Sequence, residues 1–208
     1  QVSTLTSTQV GAFTTAILSV LETRDFAAIT SANVATLTSV QLAGVTTDQI
    51  IALTTDQAGA ITSTAISNLG TAQIAAIETR DLIQLASNRV GVFTSTQIGA
   101  LTVGQVASMT SAQVTSIASS ALAGLTTDQV VALVTAQVST ITSVQLGALN
   151  SVQVAAFETR DFATITSANI ALLSSVQIAA VTTDQIVALT TDQAGAITSS
   201  QVTALLTA

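Results

Sequence analysis

Three copies of one charged tetrapeptide are the best candidates for chemistry in this sequence. Glu-Thr-Arg-Asp stands at residues 22–25, 78–81 and 158–161. An Arg separates the two acids of each copy, and the sequence has no Asp-x-Asp-x-Asp-Gly loop. This favours a structural role, in which the Arg neutralises both acids or bridges to the next coil of the fold. Because Ca²⁺ prefers oxygen ligands, the candidate calcium ligands are Glu22, Asp25, Glu78, Asp81, Glu158 and Asp161.

The residues that usually activate a catalytic nucleophile are missing from the sequence. It contains no Cys, His or Lys, so its many Ser and Thr hydroxyls have no ordinary base beside them. The remaining acids are single charges in Thr-Asp-Gln triplets rather than the paired carboxylates of glycoside hydrolysis. No phosphate-binding loop and no metal-ligand spacing occurs. We therefore expect no enzymatic activity and no cofactor.

The charge balance restricts the possible partners. The formal net charge is −7, and only 7% of the residues are charged. An acidic chain does not present the basic face that nucleic acids or anionic membranes attract. No apolar run approaches the ~20 residues of a membrane-spanning helix. Because so few charges give little repulsion against association, we expect the chain to assemble with itself. The first residue is Gln1 rather than Met, which favours a processed or excised segment.

The whole chain is one array of eight-residue repeats. After Thr6 it divides into twenty-five octads without an insertion or deletion, from STQVGAFT to SSQVTALL. Octad position 3 is Gln in sixteen of them, and positions 4 and 7 are always apolar. The two ends would join into one further octad, TAQVSTLT, which favours head-to-tail continuation within a longer chain or between subunits. We expect residues 1–208 to be a single continuous solenoid of about 26 repeats without a linker.

Each octad carries the start signal of a helix. A Thr at position 8 is followed three residues later by a Gln, which is the capping-box pattern. In the Thr-Asp-Gln octads an Asp at the second helical position also suits the helix dipole. Capping alone predicts that changing Gln49 or Gln57 to Ala costs ~1 kcal/mol at most. The clearest pairs are Thr46 with Gln49, Thr54 with Gln57, Thr126 with Gln129, Thr182 with Gln185, and Thr190 with Gln193.

This pattern predicts an all-α solenoid of very short helices, one in each octad. Helices of about six residues are unstable alone, so positions 4 and 7 must pack inward against neighbouring octads. Small residues at positions 5 and 6, including most of the glycines, would allow close approach. A β-solenoid with Thr ladders is the alternative, because β-branched residues are abundant. The number of octads in one coil does not follow from the pattern.

Two resemblances bear on function. Residues 125–133, LTTDQVVAL, resemble the first helix of a TAL-effector repeat, but no paired base-reading residues follow them. The whole chain resembles the Thr/Gln-rich LTTxQVxAL arrays of large secreted bacterial adhesin-like or surface-fibre proteins. That resemblance implies an extracellular structural protein that forms, or belongs to, a self-assembling fibre or adhesin stalk. The alternatives are an ice-binding Thr array and a partner-binding helical solenoid.

Overall fold

The computed structural model describes residues 2–206, and within them the chain is helical without a strand. The predicted all-α solenoid with one short helix in each octad is confirmed, and the β-solenoid alternative is wrong. A 3-10 helix, Val2–Thr4, comes first, and the α-helices after it have four to six residues except for the last, which has eight. The α-helices are α1 Ser7–Gly11, α2 Thr15–Val20, α3 Thr23–Ala27, α4 Ser31–Val34, α5 Ser39–Ala43, α6 Thr47–Ile51, α7 Thr55–Ala60, α8 Ser63–Ile66, α9 Thr71–Ala76, α10 Thr79–Leu82, α11 Ser87–Val90, α12 Ser95–Ala100, α13 Val103–Ser108, α14 Ser111–Ser116, α15 Ser119–Leu122, α16 Thr127–Val131, α17 Thr135–Val138, α18 Ser143–Ala148, α19 Ser151–Ala155, α20 Thr159–Phe162, α21 Ser167–Ile170, α22 Ser175–Ala179, α23 Thr183–Val187, α24 Thr191–Ala196 and α25 Ser199–Leu206.

Three octads make one coil of the solenoid. Each helix packs on the helix three places further along the chain, as α11 does on α14 and α22 does on α25. The helices therefore form three columns, and successive octads move from one column to the next. None of the helices in the described part of the chain is long and apolar enough to cross a bilayer.

The chain turns between columns on extended backbone. Helix α12 is followed by its C-cap, Leu101, with φ −59° and ψ 142°, and the next residue, Thr102, has φ −70° and ψ 156°. Across residues 2–206 no residue has a positive φ. Corners of this kind need no glycine, so the octad can repeat many times with Thr at its last position.

One apolar core runs along the solenoid. Octad positions 4 and 7 lie three residues apart and share a helix face; in α12 and its corner these are Ile98 and Leu101, both buried. Equivalent residues from all three columns meet in a single cluster. Near residue 206 the same positions, such as Ile186 and Leu189, are only partly buried.

The glycines at positions 5 and 6 fall into two groups. Gly99 and Gly124 face each other in adjacent coils, and a Cβ on Gly124 would lie 2.2 Å from the Ser95 carbonyl oxygen. Gly44 is also tightly approached by Thr15 of the preceding coil, and Gly91 by Ser116 of the following coil. The prediction of close packing is correct for these four. It is wrong for the position-5 glycines that would have nothing within 4 Å of an added Cβ, namely Gly11, Gly59, Gly147 and Gly195.

Candidate functional site: the corner amides and the charged octads

The capping box is present at each of the five Thr–Gln pairs named from the sequence. At the start of α16, the Gln129 N–H donates to Thr126 Oγ1 over 3.2 Å, and the Thr126 N–H donates to Gln129 Oε1 over 2.7 Å. The two bonds satisfy amides that a helix start leaves without partners. The five triplet acids, Asp48, Asp56, Asp128, Asp184 and Asp192, are exposed single charges at the second helical position of their octads.

The other end of the Gln side chain makes a contact that sequence reasoning missed. Gln129 Nε2 donates to the carbonyl oxygens of Leu101 (2.6 Å) and Ile98 (3.0 Å), which belong to the preceding coil. The carboxamide therefore starts one helix and binds the corner of the coil before it. The sequence could have indicated this contact, because a capping box uses only the acceptor oxygen of the Gln carboxamide. The Nε2 donor is left over, and a buried N–H needs a partner.

This corner bond recurs along the solenoid. Every position-3 Gln from Gln41 to Gln201 donates to the carbonyl of the residue 28 places earlier. Asn33 and Asn169, with shorter side chains, still reach one such carbonyl, those of Leu5 (2.7 Å) and Ile141 (2.8 Å). We call this hydrogen bond the corner bridge.

The charged octads replace the bridging amide with a carboxylate. Asp81 and Asp161 are buried at position 3, where a carboxylate has no N–H to donate. Each instead accepts a hydroxyl hydrogen bond from the preceding coil: Thr55 donates to Asp81 over 2.7 Å, and Thr135 donates to Asp161. The Asp of these octads thus still connects two coils, but through a different partner.

The Arg of each Glu-Thr-Arg-Asp stretch contacts both of its acids. Arg160 lies 3.1 Å from Asp161 and 3.7 Å from Glu158, and Arg24 and Arg80 make the equivalent pairs with Glu22, Asp25, Glu78 and Asp81. The hydrogen bond and the charge of Asp161 raise the pKa of Arg160 above its ordinary value. The Arg side chains neutralise the acids locally and form no ion pair with another coil within residues 2–206.

The six candidate calcium ligands remain in their three separate pairs. The described residues contain no cluster of three or more His, Cys, Asp or Glu side chains that could hold a metal ion. The three pairs lie in three different columns, on α3, α10 and α20. In each pair the carboxylate oxygens contact an Arg, as expected when the acids have a structural role.

A known repeat family matches this chain. The model of the ALTTAQ repeat matches residues 18–55, 74–111 and 154–191, which together make up more than half of the chain. All three matches start four residues before a Glu-Thr-Arg-Asp stretch, so they share one register. No curated protein matches the sequence. With its unbroken octads and its repeated corner bridge, the chain belongs to the ALTTAQ repeat family.

Proposed function

We propose that this chain is a non-enzymatic structural protein, a stiff solenoid segment of an extracellular fibre or adhesin stalk that assembles with itself. The observation that carries the proposal is the corner bridge. Fifteen Gln side chains, most of them fully buried, fasten successive coils through the same two groups. A rod fastened at most of its corners suits a role in spanning distance.

The same geometry supports extension by further coils. A coil junction needs only position-3 amides on one side and corner carbonyls with apolar positions 4 and 7 on the other. Gln9 has a capping box, but within residues 2–206 no coil precedes it to offer a carbonyl to its Nε2. Near residue 206, Ile186 and Leu189 are partly exposed at positions that are buried elsewhere. The next coil can come from the same chain or from a second copy.

The extracellular setting is supported by the resemblance to secreted repeat arrays. The surface agrees with a structural role, because it is polar but weakly charged, and such a surface resists association little. Immunogold labelling of intact and permeabilised cells tests the location. Labelling of intact cells is expected, and labelling only after permeabilisation would refute the extracellular assignment.

Electron microscopy of the purified 208-residue chain at several concentrations tests the assembly. Uniform filaments that lengthen with concentration are expected. The matched variants are Gln9→Glu, which removes a donor from the exposed end coil, and Asp48→Asn, which changes an exposed acid away from it. Gln9→Glu should shorten filaments and Asp48→Asn should not. Short separate rods at every concentration would refute self-assembly and leave the stalk segment.

A partner-binding solenoid is the second candidate, favoured by apolar residues on the surface. Val152 and Val176 stand at position 2 of successive helices in one column, and both are largely exposed. A pull-down that returns only the protein itself would count against this function. Ice binding loses its main support, because the described residues form helices rather than the flat β-solenoid on which a regular Thr array depends.

A further inference from the structure

One coil starts all three of its helices without a capping side chain. Helices α9, α10 and α11 follow Gly70, Glu78 and Ala86, and within the described chain none of these accepts an N-cap hydrogen bond through its side chain. Elsewhere such starts are isolated, each with capped helices on both sides. They are Glu22, Ala118, Val134 and Glu158. We call residues 71–94, which hold these three helices, the weak coil.

Corner bridges are also scarce where the weak coil and the octad before it meet the earlier part of the chain. Gln73 bridges to Leu42 and Val45, but Asp81 and Arg89 occupy the other two position-3 sites. Within residues 2–206, neither donates a side-chain hydrogen bond to the preceding coil. One octad earlier, Ala65 stands at position 3 and has no donor group.

A buried acidic oxygen adds to the deficit at this junction. The Asp81 side chain is only 1% exposed, and its Oδ2 has no hydrogen-bond partner in the described structure. A buried acceptor without a partner destabilises the state that buries it. The hydroxyl of Thr55 and the amide of Gln73 are therefore the main polar links across the junction.

The junction after the weak coil keeps more of its bridges. Separating residues 2–94 from residues 95–206 breaks three, from Gln97 to Leu69, from Gln105 to Ile77 and from Gln113 to Leu85. Of the four position-3 sites there, only Ala121 has no donor. Ser116 Oγ also donates to the Ser87 carbonyl over 2.7 Å. The deficit is therefore one-sided: the weak coil is held firmly to the chain after it and loosely to the chain before it.

We infer that the junction between α7 and α8, where residues 2–62 meet residues 63–206, is the hinge of the rod. It opens before any other interior junction, so the rod bends, or is cut, at this place first. Opening here breaks one corner bridge, that of Gln73, and the Thr55–Asp81 hydrogen bond. Opening the chain between residues 126 and 127 breaks four bridges, those of Gln129, Gln137, Gln145 and Gln153. The buried Oδ2 of Asp81 gains water when the junction opens, which lowers the cost further.

The rates of trypsin cleavage measure this difference in opening, because the chain has four Arg and no Lys as cleavage sites. Arg80 and Arg160 lie in the same tetrapeptide, so an intact chain offers the protease two matched sites. Under native conditions we expect cleavage after Arg80 about ten-fold or more faster than after Arg160, since each lost cap or bridge is worth roughly a five-fold change in opening. Cleavage rates measured in concentrated urea, where the chain is unfolded, give the intrinsic ratio of cleavage after Arg80 to cleavage after Arg160. Equal native rates after this correction would overturn the inference.

A repaired coil gives the second test. The double variant Ala86→Thr with Arg89→Gln restores a cap and a bridge to α11 and leaves the sequence around Arg80 unchanged. Its cleavage after Arg80 should slow about five-fold or more, while cleavage after Arg160 stays the same. The matched control, Ala118→Thr, restores an isolated cap in α15 and should leave the Arg80 rate unchanged. An Arg80 rate unaffected by the repair, or lowered equally by the control, would refute the hinge.

Hydrogen exchange measured by mass spectrometry checks the wild-type chain without any substitution. Amides of residues 79–90 should exchange about ten-fold faster than those of residues 159–170, the equivalent pair of octads around Arg160. Similar exchange in the two segments would place the hinge elsewhere.

Discussion

Replacing Gln129 by Ala separates the two roles of the bridging carboxamide. The side chain is almost fully buried and makes bonds at both ends, to the Thr126 N–H and to the carbonyls of Ile98 and Leu101. Loss of the capping bond costs about 1 kcal/mol. Each of the two buried carbonyls then loses a donor, at about 1 kcal/mol apiece. We therefore expect Gln129→Ala to lower the free energy of unfolding by about 3 kcal/mol, more than the ~1 kcal/mol that capping alone predicts.

Two further variants identify which bond matters. Gln129→Glu keeps an acceptor for the Thr126 N–H, as Glu serves the capping box equally well, but it has no donor and places a charge against two carbonyls. We expect it to destabilise at least as much as the Ala variant. Gln9→Ala removes a capping box that has no preceding coil to bridge in the described structure, and should cost about 1 kcal/mol or less.

Urea unfolding followed by far-ultraviolet circular dichroism suits this comparison, because the chain has no Trp or Tyr to serve as a fluorescence probe. A solenoid can unfold in parts, so hydrogen exchange at α12 and α16 should accompany the unfolding midpoints. Local protection is expected to fall at both helices in the Gln129 variants. If Gln129→Ala costs no more than Gln9→Ala, or if Gln129→Glu is neutral, the corner bridge contributes nothing and the reasoning is refuted.

Two other substitutions follow from the packing of the coils. Ala65→Gln should stabilise by about 1 kcal/mol, because a Gln there can complete a box with Thr62 and bridge to Leu37; an unchanged or lower melting temperature would contradict this. Gly124→Ala should destabilise the fold by at least about 2 kcal/mol, because the new Cβ meets the backbone of the neighbouring coil. The Cβ of Gly147→Ala meets nothing within 4 Å, so this variant should be neutral or stabilising by up to about 1 kcal/mol. Thermal unfolding of the two Ala variants tests the pair, and equal melting temperatures would show that the close approach at Gly124 is unimportant.

The helix starts could be read from the sequence because their cause is local. A cap at position 8 and its Gln at position 3 are three residues apart, so the interaction is complete within one octad, whatever surrounds it. Thr126 and Gln129 are an example. The inward face follows in the same way from the spacing of positions 4 and 7. The local charge balance of Glu-Thr-Arg-Asp was also predictable, as an Arg lies within reach of both neighbours.

The larger arrangement depends on contacts between residues far apart in the chain. Nothing within one octad distinguishes three octads per coil from another number, because the number depends on how the corners orient successive helices and on how the coils stack. The partner of Gln129 Nε2 lies 28 residues away, so it became visible only once the coils were stacked. The same holds for the glycines: Gly99 and Gly147 both stand at octad position 5, but only Gly99 lies against a neighbouring coil.

The sequence by itself therefore determined the unit: a capped helix of under two turns with one apolar face, because each of those features comes from groups a few residues apart. The tertiary structure decided how the units combine. Three columns, the bridge between coils and the one-sided weakness at residues 71–94 all arise from the stacking of coils, which brings position 3 of one coil against the corner of the coil before it. A missing cap is visible in sequence, but its coincidence with missing bridges in one coil is a property of the stack.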